Sequence, residues 1–348
     1  MNRVINPKSV RHCRVERFFL FMATALTLAA CHPPQDEPTQ LLGQAQGTYY
    51  SIQYIDPLKR NLQPQIDSLL NAFDQSASLW VENSLLRRIN RGTTDSLDTT
   101  LQFLFEQSIR ILNYTDGAFD PRVGKLVQAW GFSFKQRQEP DSATLEQLIT
   151  AAHASIWLDG NRLHRDNPNT EIDFNAIAQG YSSDLVGQLL EQHGISNYLV
   201  DIGGEVLAHG KKGSRPWRVG IERPSDDSAS APTVQLAIQL NDASVVTSGS
   251  YRKYYERNGI RYSHTIDPTT GRPVSHTLLS VSVVEKESWL ADAMATAYMV
   301  MGLDKAKQFI ASHPNEPGTE AVYFIYSTPT GQLATYATPT FEKLIVKQ

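Results

Sequence analysis

Short strand-like segments joined by tight turns alternate along this chain with longer helical segments. Apolar residues make up at least half of Tyr198–Ile202, Trp217–Glu222 and Val234–Leu240, which we predict to be strands. Between two further segments, Asp159-Gly160-Asn161 predicts a hairpin turn. Hairpins interleaved with helices indicate an α+β or mixed α/β fold and argue against a doubly wound dinucleotide fold.

Apolar residues recur at helical spacing in five segments, which are residues 62–73, 97–112, 142–152, 177–193 and 288–301. Gly194 and Gly302 follow the last two segments, and glycine is a natural helix end. Further strands are predicted over residues 48–55, 244–247, 278–284, 321–327 and 332–337. No long Ser/Gly/Pro-rich linker divides the 348 residues, so we predict a single domain.

The N-terminus has the pattern of a targeting segment. Five basic residues precede an uncharged apolar run over residues 18–30, which is typical of a signal peptide. The run ends in Leu28-Ala29-Ala30-Cys31, which resembles a bacterial lipobox. We therefore predict a signal peptide over residues 1–30, a lipidated Cys31 with a tether over residues 31–42, and one domain over residues 43–348.

This interpretation places the protein on the periplasmic side of a bacterial membrane, anchored by lipid, with the choice of inner or outer membrane open. The alternative is an ordinary secretory signal with a coincidental cysteine. The other cysteine, Cys13, lies in the removed segment, so the mature protein has no disulfide.

The charge of the chain argues against nucleic acid as a partner. Removal of residues 1–30 takes away five basic residues and one acidic residue, which changes the formal charge from −4 to −8. A protein that binds phosphate backbones carries a basic stripe, whereas Lys211-Lys212 is the only adjacent lysine pair.

Reactive side chains concentrate in residues 246–273. His264 lies in a turn-rich segment in which Pro268 and Pro273 fix φ and Gly271 admits positive φ. A rigidly held imidazole near its ordinary pKa is suited to act as a general base. The alternative is a structural histidine in a hairpin punctuated by proline and glycine.

Two acidic residues are candidates for the chemistry of this chain. Asp292 and Thr296 are four apart on a predicted helix and so share a face, where a carboxylate and a hydroxyl can bind Mg²⁺. Asp173 precedes another helix and is a candidate contact to a flavin or ribose. The alternatives are a solvated surface pair for the first two and simple helix capping for Asp173. The chain has neither a G-x-G-x-x-G motif, nor a P-loop, nor a zinc signature.

Nine blocks along residues 43–340, in the same order, resemble the ApbE family of bacterial flavin transferases. They are Gly47-Thr48-Tyr49, Ser78-Leu79-Trp80 with Ser84 and Asn90, Gly117-Ala118-Phe119-Asp120-Pro121, residues 173–180, Asp201-Ile202-Gly203-Gly204-Glu205, residues 217–221, Thr247-Ser248-Gly249, residues 264–273, and Ala291-Asp292-Ala293-x-Ala295-Thr296-Ala297. One block alone is weak evidence, but nine in order make the resemblance specific.

The resemblance implies a single ApbE-like domain of mixed α/β, T-fold-related architecture that binds FAD and Mg²⁺. It also implies transfer of the FMN moiety of FAD to a Thr or Ser hydroxyl of an acceptor protein, with release of AMP. By the same resemblance, the Mg²⁺ ligands are the carbonyl of Ala176 and the side chains of Asp292 and Thr296.

The flavin-nucleotide contacts implied by the resemblance are Trp80, Ala118, Phe119, Asp120, Asp173 and Ile266. Two further positions at this site depart from the family pattern, with Gln46 where the family often has Met and Gln179 where it has Lys. An amide at Gln179 can still donate a hydrogen bond, but without the added strength of a charge.

Two other functions are compatible with this sequence. The first is an Mg²⁺-dependent FAD pyrophosphatase that passes FMN to water, and only the acceptor differs from the transferase. The second is a non-catalytic FAD-binding lipoprotein, against which the presence of both His264 and Asp292 argues.

Overall fold

An antiparallel sheet of eight strands forms the centre of the domain. The computed structural model describes residues 37–132, 139–225, 233–250, 254–257, 260–263 and 265–347, with the backbone alone for 254–257 and 260–263. Residues from Pro38 onward form one compact unit.

In the order in which neighbours are hydrogen-bonded, the strands of this sheet are β1 (Thr39–Ala45), β2 (Thr48–Tyr54), β5 (Tyr198–Ile202), β6 (Glu205–His209), β9 (Ala243–Gly249), β14 (Leu278–Glu285), β15 (Ala321–Ser327) and β16 (Leu333–Ala337). Four strand pairs lie outside it: β3 (Ile156–Asp159) with β4 (Arg162–Arg165), β7 (Trp217–Glu222) with β8 (Val234–Leu240), β10 (Tyr254–Arg257) with β11 (Ile260–Ser263), and β12 (Ile266–Asp267) with β13 (Arg272–Pro273). The helices are α1 (Gln63–Ala77), α2 (Leu85–Asn90), α3 (Thr99–Tyr114), α4 (Gly124–Ala129), α5 (Ser142–Ala152), α6 (Ala178–Gln192), α7 (Ser288–Ser312) and α8 (Pro339–Glu342).

Alternation along the strands gives the sheet two buried faces. On β15, Val322 and Phe324 pack into the core formed with α7, whereas Tyr323 and Ile325 pack into a second core on the opposite face. Successive side chains of a strand point to opposite faces, so a strand that is apolar throughout is buried on both sides. The sheet is therefore the middle layer of the domain.

Helices α6 and α7 cover one face of the sheet, and the β7–β8 hairpin covers part of the other. Buried alanines on α7, among them Ala291, Ala293 and Ala295, let this helix lie close to the strands. On the far side, Trp217 of the hairpin packs with Phe341 and Val245. This layering brings the N-termini of α6 and α7 together above the sheet.

Most predicted elements are present with bounds close to those expected. Strands β5, β7, β8 and β15 and helix α5 have the predicted limits. The predicted start of the domain at residue 43 is wrong, because β1 begins at Thr39 and pairs with β2 along its whole length. Leu41 is buried there, so residues 39–42 belong to the sheet and not to a tether.

The predicted end of the last long helix at Gly302 is half correct. The helical path is interrupted at Gly302, where φ is +75°, and a second helical segment then continues to Ser312. Across the part of the chain that the structure describes, no helix combines the length and apolarity needed to cross a membrane.

Candidate active site

A cleft of about 1140 Å³ opens between the N-termini of α6 and α7, the β1–β2 turn and strand β7. It is lined by all eleven predicted site residues that the structure describes, which are Gln46, Trp80, Ala118, Phe119, Asp120, Asp173, Ala176, Gln179, Ile266, Asp292 and Thr296. The other two, His264 and Cys31, lie outside the described residues. The sequence positions thus converge on one place from six separate segments.

Asp292 is the most deeply buried acid of the cleft. The backbone N–H of Gly180 donates to its Oδ2 over 3.0 Å. Burial raises the pKa of the Asp292 carboxyl to about 7, and the charge of Asp184 also raises it. A carboxylate in such a place is stabilised by a nearby cation, because the cation compensates the lost hydration.

Thr296 lines the cleft one helical turn beyond Asp292, as their spacing predicts. Its hydroxyl lies 3.4 Å from the hydroxyl of Ser248 on β9. Among the described residues, no three His, Cys, Asp or Glu side chains cluster as metal ligands. A mixed oxygen set of one carboxylate, one hydroxyl and the carbonyl of Ala176 nevertheless suits a hard cation such as Mg²⁺, which keeps several of its waters.

Asp173 occupies the loop that leads into α6. Its backbone N–H donates to the carbonyl of Pro121 over 2.8 Å, and its Oδ1 accepts the N–H of Asn175 over 2.8 Å. Burial raises the pKa of the Asp173 carboxyl to about 6. The loop is thereby tied to the segment that contains Ala118, Phe119 and Asp120.

That segment is itself held rigidly. Arg122 makes a two-pronged ion pair with Asp120, with Nε–Oδ1 and Nη2–Oδ2 distances of 2.8 and 2.7 Å. The N–H of Phe119 donates to the hydroxyl of Thr115 at the end of α3. The Asp120 carboxylate is therefore engaged within the protein, while Ala118, Phe119 and Asp120 line the cleft.

Gln179 bridges the first turn of α6 and the β5–β6 turn. Its Nε2 donates to the carbonyl of Ile202 over 2.9 Å. Gly203 adopts φ of +66°, and a Cβ at this position would lie 2.0 Å from that Nε2. The turn thus requires glycine for both its conformation and its space.

Gln46 lines the cleft from the β1–β2 turn, and Trp80 lines it from the segment that follows α1. Gln46 has a φ of +54° in the β1–β2 turn, and its N–H points to Oδ2 of Asp74 at 3.4 Å. Its Nε2 is buried and has no hydrogen-bond partner among the described residues. Trp80 follows α1, and about half of its surface is exposed to solvent.

The turn that follows residue 264 is anchored to α4 and α5. Nε1 of Trp130 donates to the carbonyl of Gly271 over 2.7 Å, and the ring of His153 hydrogen-bonds the carbonyl of Pro268 over 3.1 Å. Ile266 is buried against Trp130 and Leu145. This packing fixes the chain on the C-terminal side of His264.

Several residues that line the cleft were not predicted individually from the sequence. They include Asp74, Asn175, Arg218 and Ser248. Burial raises the pKa of Asp74. An acid immediately after the apolar run of the first helix was the available signal for it. Arg218 reaches the cleft from β7, which no local pattern indicates.

Comparison with known proteins agrees with this geometry. A model of the ApbE family matches residues 46–323. The chain is 35% identical over 346 residues to the FAD:protein FMN transferase of Vibrio cholerae serotype O1, with coverage of 96% of this chain and 100% of that protein. It is 36% identical to the FAD:protein FMN transferase of Escherichia coli K12, covering 94% and 97% of the two chains.

Among solved structures, the flavin transferase ApbE from Vibrio cholerae superposes with a TM-score of 0.76 at 34% identity. The match covers 88% of this chain and 99% of that one. The family match runs from the β1–β2 turn into β15 and includes both helices of the cleft, and the chain belongs to the ApbE family.

Proposed function

We propose that this protein is an Mg²⁺-dependent FAD:protein FMN transferase, which moves the FMN moiety of FAD to a Thr or Ser hydroxyl of an acceptor protein and releases AMP. The observation that carries the proposal is the convergence of Asp173, Ala176, Asp292 and Thr296 on one cleft large enough for a dinucleotide. The relatives named FAD:protein FMN transferase support the same reaction.

In this reaction the acceptor oxygen bonds to the phosphorus of the FMN half of FAD. The bond from that phosphorus to the oxygen of the AMP half breaks, and AMP leaves with that oxygen. The hydroxyl proton passes to a base, for which we propose His264. A hydroxyl is a weak nucleophile unless a base takes its proton.

The residues of the cleft have separate tasks in this proposal. The N-terminus of α6 favours the negative pyrophosphate, since the positive end of a helix dipole stabilises anions. Asp292, Thr296 and the carbonyl of Ala176 would hold Mg²⁺, which when bound neutralises charge on the phosphates. The exposed ring of Trp80 and the residue Ala118 would contact the flavin nucleotide.

A direct test mixes the purified protein, FAD, Mg²⁺ and a flavin-binding acceptor domain that carries one target threonine. The intact mass of the acceptor should increase by the mass of one FMN group joined through a phosphoester bond. A matched acceptor with Thr→Val at the target keeps its shape and should gain nothing. FMN that accumulates free in solution, with both acceptors unmodified, would instead identify an FAD pyrophosphatase.

We further propose that the protein is a lipoprotein on the periplasmic side of a bacterial membrane, attached through Cys31. The support for this is the basic segment, the apolar run and Leu28-Ala29-Ala30-Cys31 at its end. Cys31→Ser should abolish lipid attachment and release the protein from the membrane fraction. Unchanged processing and fractionation would contradict the lipobox interpretation.

A further inference from the structure

Asp184, a largely buried acid on α6, accepts hydrogen bonds from the first turn of α7. The N–H of Ser288 donates to its Oδ1 over 2.8 Å, and the N–H of Trp289 donates to its Oδ2 over 3.0 Å. Each carboxylate oxygen therefore satisfies one backbone donor at the start of a helix that is more than a hundred residues away in sequence.

Helix α7 has no cap of its own. Its N-cap residue is Glu287, which is exposed and whose side chain makes no capping hydrogen bond. The first N–H groups of a helix have no partner within the helix and need one from elsewhere. In this protein the neighbouring helix supplies that partner, so the cap is also a contact between α6 and α7.

The same two helices exchange a second bond in the reverse direction. Asp292 on α7 accepts the N–H of Gly180, one turn before Asp184 on α6. The contact is close, since a Cβ on Gly180 would lie 2.4 Å from the carbonyl oxygen of Ser288 and 2.9 Å from Cβ of Asp292. Each helix thus uses one carboxylate to accept backbone N–H groups of the other, and Asp292 is the carboxylate that α7 contributes.

We infer that Asp184 is a positioning residue that ties the first turn of α7 to α6 and so aims the Asp292 carboxylate at the ion and pyrophosphate in the cleft. The inference rests on the proposed metal site. Asp184 does not line the cleft among the described residues, so it acts through the helix and not on the substrate. Outer partners that orient a ligand typically change metal affinity by about 10–100-fold when they are removed.

The test compares the full chain with Asp184→Asn, in the presence of FAD, by Mn²⁺ binding measured from the EPR signal of free Mn²⁺. Asparagine keeps one acceptor oxygen but presents an amide donor to the second N–H. We expect Mn²⁺ affinity to fall by about 10–100-fold and the thermal midpoint to fall as well. Wild-type Mn²⁺ affinity in a folded Asp184→Asn protein would overturn the inference.

A second variant separates capping from positioning. Glu287→Ser introduces a local N-cap, whose hydroxyl can accept a backbone N–H of the first turn. In the Asp184→Asn, Glu287→Ser double variant the thermal midpoint should recover, while Mn²⁺ affinity should stay low because α7 is no longer tied to α6. Recovery of both would show that Asp184 is only a helix cap. The double variant also provides a folded background if Asp184→Asn alone does not fold.

Two controls complete the design. Asp141 caps α5 by accepting the N–H of Thr144 over 2.7 Å, so Asp141→Asn makes the same chemical change at an exposed cap and should leave Mn²⁺ affinity unchanged. Asp292→Asn tests the metal site itself. If Asp292→Asn binds Mn²⁺ like the wild type, the proposed metal site is wrong. If Asp292→Asn loses affinity and Asp184→Asn keeps it, only the role of Asp184 is wrong.

Discussion

The N–H of Gly180 donates to the Asp292 carboxylate across the contact between α6 and α7. This relationship explains why a glycine stands in the first turn of α6, since any side chain there would meet the carbonyl of Ser288. It also links helix packing to chemistry, because the group that α6 holds in place is the buried acid of the cleft.

Gly180→Ala should therefore impair metal binding as well as stability. The added methyl would force α6 and α7 apart, and overpacking of this kind costs about 1–3 kcal/mol of unfolding free energy. We expect Mg²⁺ affinity, measured by calorimetry with FAD present, to fall by about tenfold or more, because displaced ligands lose affinity on the order of 10–100-fold.

Gly187→Ala is the matched control on the same helix. A Cβ at Gly187 would lie 2.7 Å from Cδ2 of Leu207 and 2.9 Å from Oη of Tyr198, both ends of side chains and neither at the cleft. This variant should lose stability but keep Mg²⁺ affinity. Equal loss of affinity in both variants would mean that general loosening of α6, and not the Asp292 contact, is responsible.

The buried state of Asp292 predicts a pH dependence of stability in the metal-free protein. Burial raises the pKa of its carboxyl from 3.8 to about 7 on folding. Between these values the folded state keeps a proton that the unfolded state has released, so the free energy of unfolding falls as the pH rises.

Urea denaturation between pH 4 and pH 7 in the presence of EDTA measures this dependence. Asp292→Asn should show a smaller decline than the wild type over that range. At pH 7, Mg²⁺ should stabilise the wild type and not the variant. Identical pH profiles for the two proteins would contradict the raised pKa of Asp292.

Gln46→Met should separate stability from FAD binding. Nε2 of Gln46 is buried in the wall of the cleft and has no hydrogen-bond partner among the residues described. An unpaired buried donor lowers the free energy of unfolding by about 1–3 kcal/mol. Methionine removes the donor at similar length, so the FAD-free protein should become more stable. FAD affinity, measured by flavin fluorescence, should fall by about 2–10-fold through loss of one hydrogen bond.

Gln63→Met serves as its control. Nε2 of Gln63 donates to the carbonyl of Leu42 and to Oη of Tyr50, and the residue does not line the cleft. This variant should lose stability and keep FAD affinity, the reverse of the result at Gln46. Unchanged FAD affinity in Gln46→Met would exclude a hydrogen bond from this amide to the nucleotide.

Local sequence pattern was sufficient for the strands that have a dense run of β-branched and aromatic residues. Strand β2, with Tyr50, Ile52 and Tyr54 buried, is such a case. Strand β1 was missed because only Leu41 of its seven residues is buried, so its pairing with β2 and not its composition defines it. Strand β6 is five residues long and follows two glycines, which obscured its pattern.

The candidate site was predictable where residues of one element act together, as with Asp292 and Thr296. It was not predictable where the partner comes from another element. The bonds from Ser288 and Trp289 to Asp184 span more than a hundred residues of sequence and exist only because α6 and α7 pack side by side. Arg218 likewise reaches the cleft only because the β7–β8 hairpin packs on the sheet.

His264→Ala should separate binding from chemistry. The residues of the cleft that would contact FAD and Mg²⁺ remain, so FAD affinity and the thermal midpoint should stay close to wild type. Transfer to an acceptor hydroxyl should fall by about 10²–10⁴-fold, the usual effect of removing a positioned base. A folded His264→Ala protein that binds FAD and transfers at the wild-type rate would eliminate His264 as the base.

The most direct measurement counts AMP and FMN–acceptor adduct in the same reaction, by chromatography and intact mass, for the wild type and for Asp292→Asn. Transfer of the FMN half of FAD requires one AMP for each adduct, and loss of the buried carboxylate should suppress both products together. The account predicts a ratio of one AMP per adduct for the wild type and neither product for Asp292→Asn. AMP release without adduct, or adduct formation at the wild-type rate in Asp292→Asn, would contradict it.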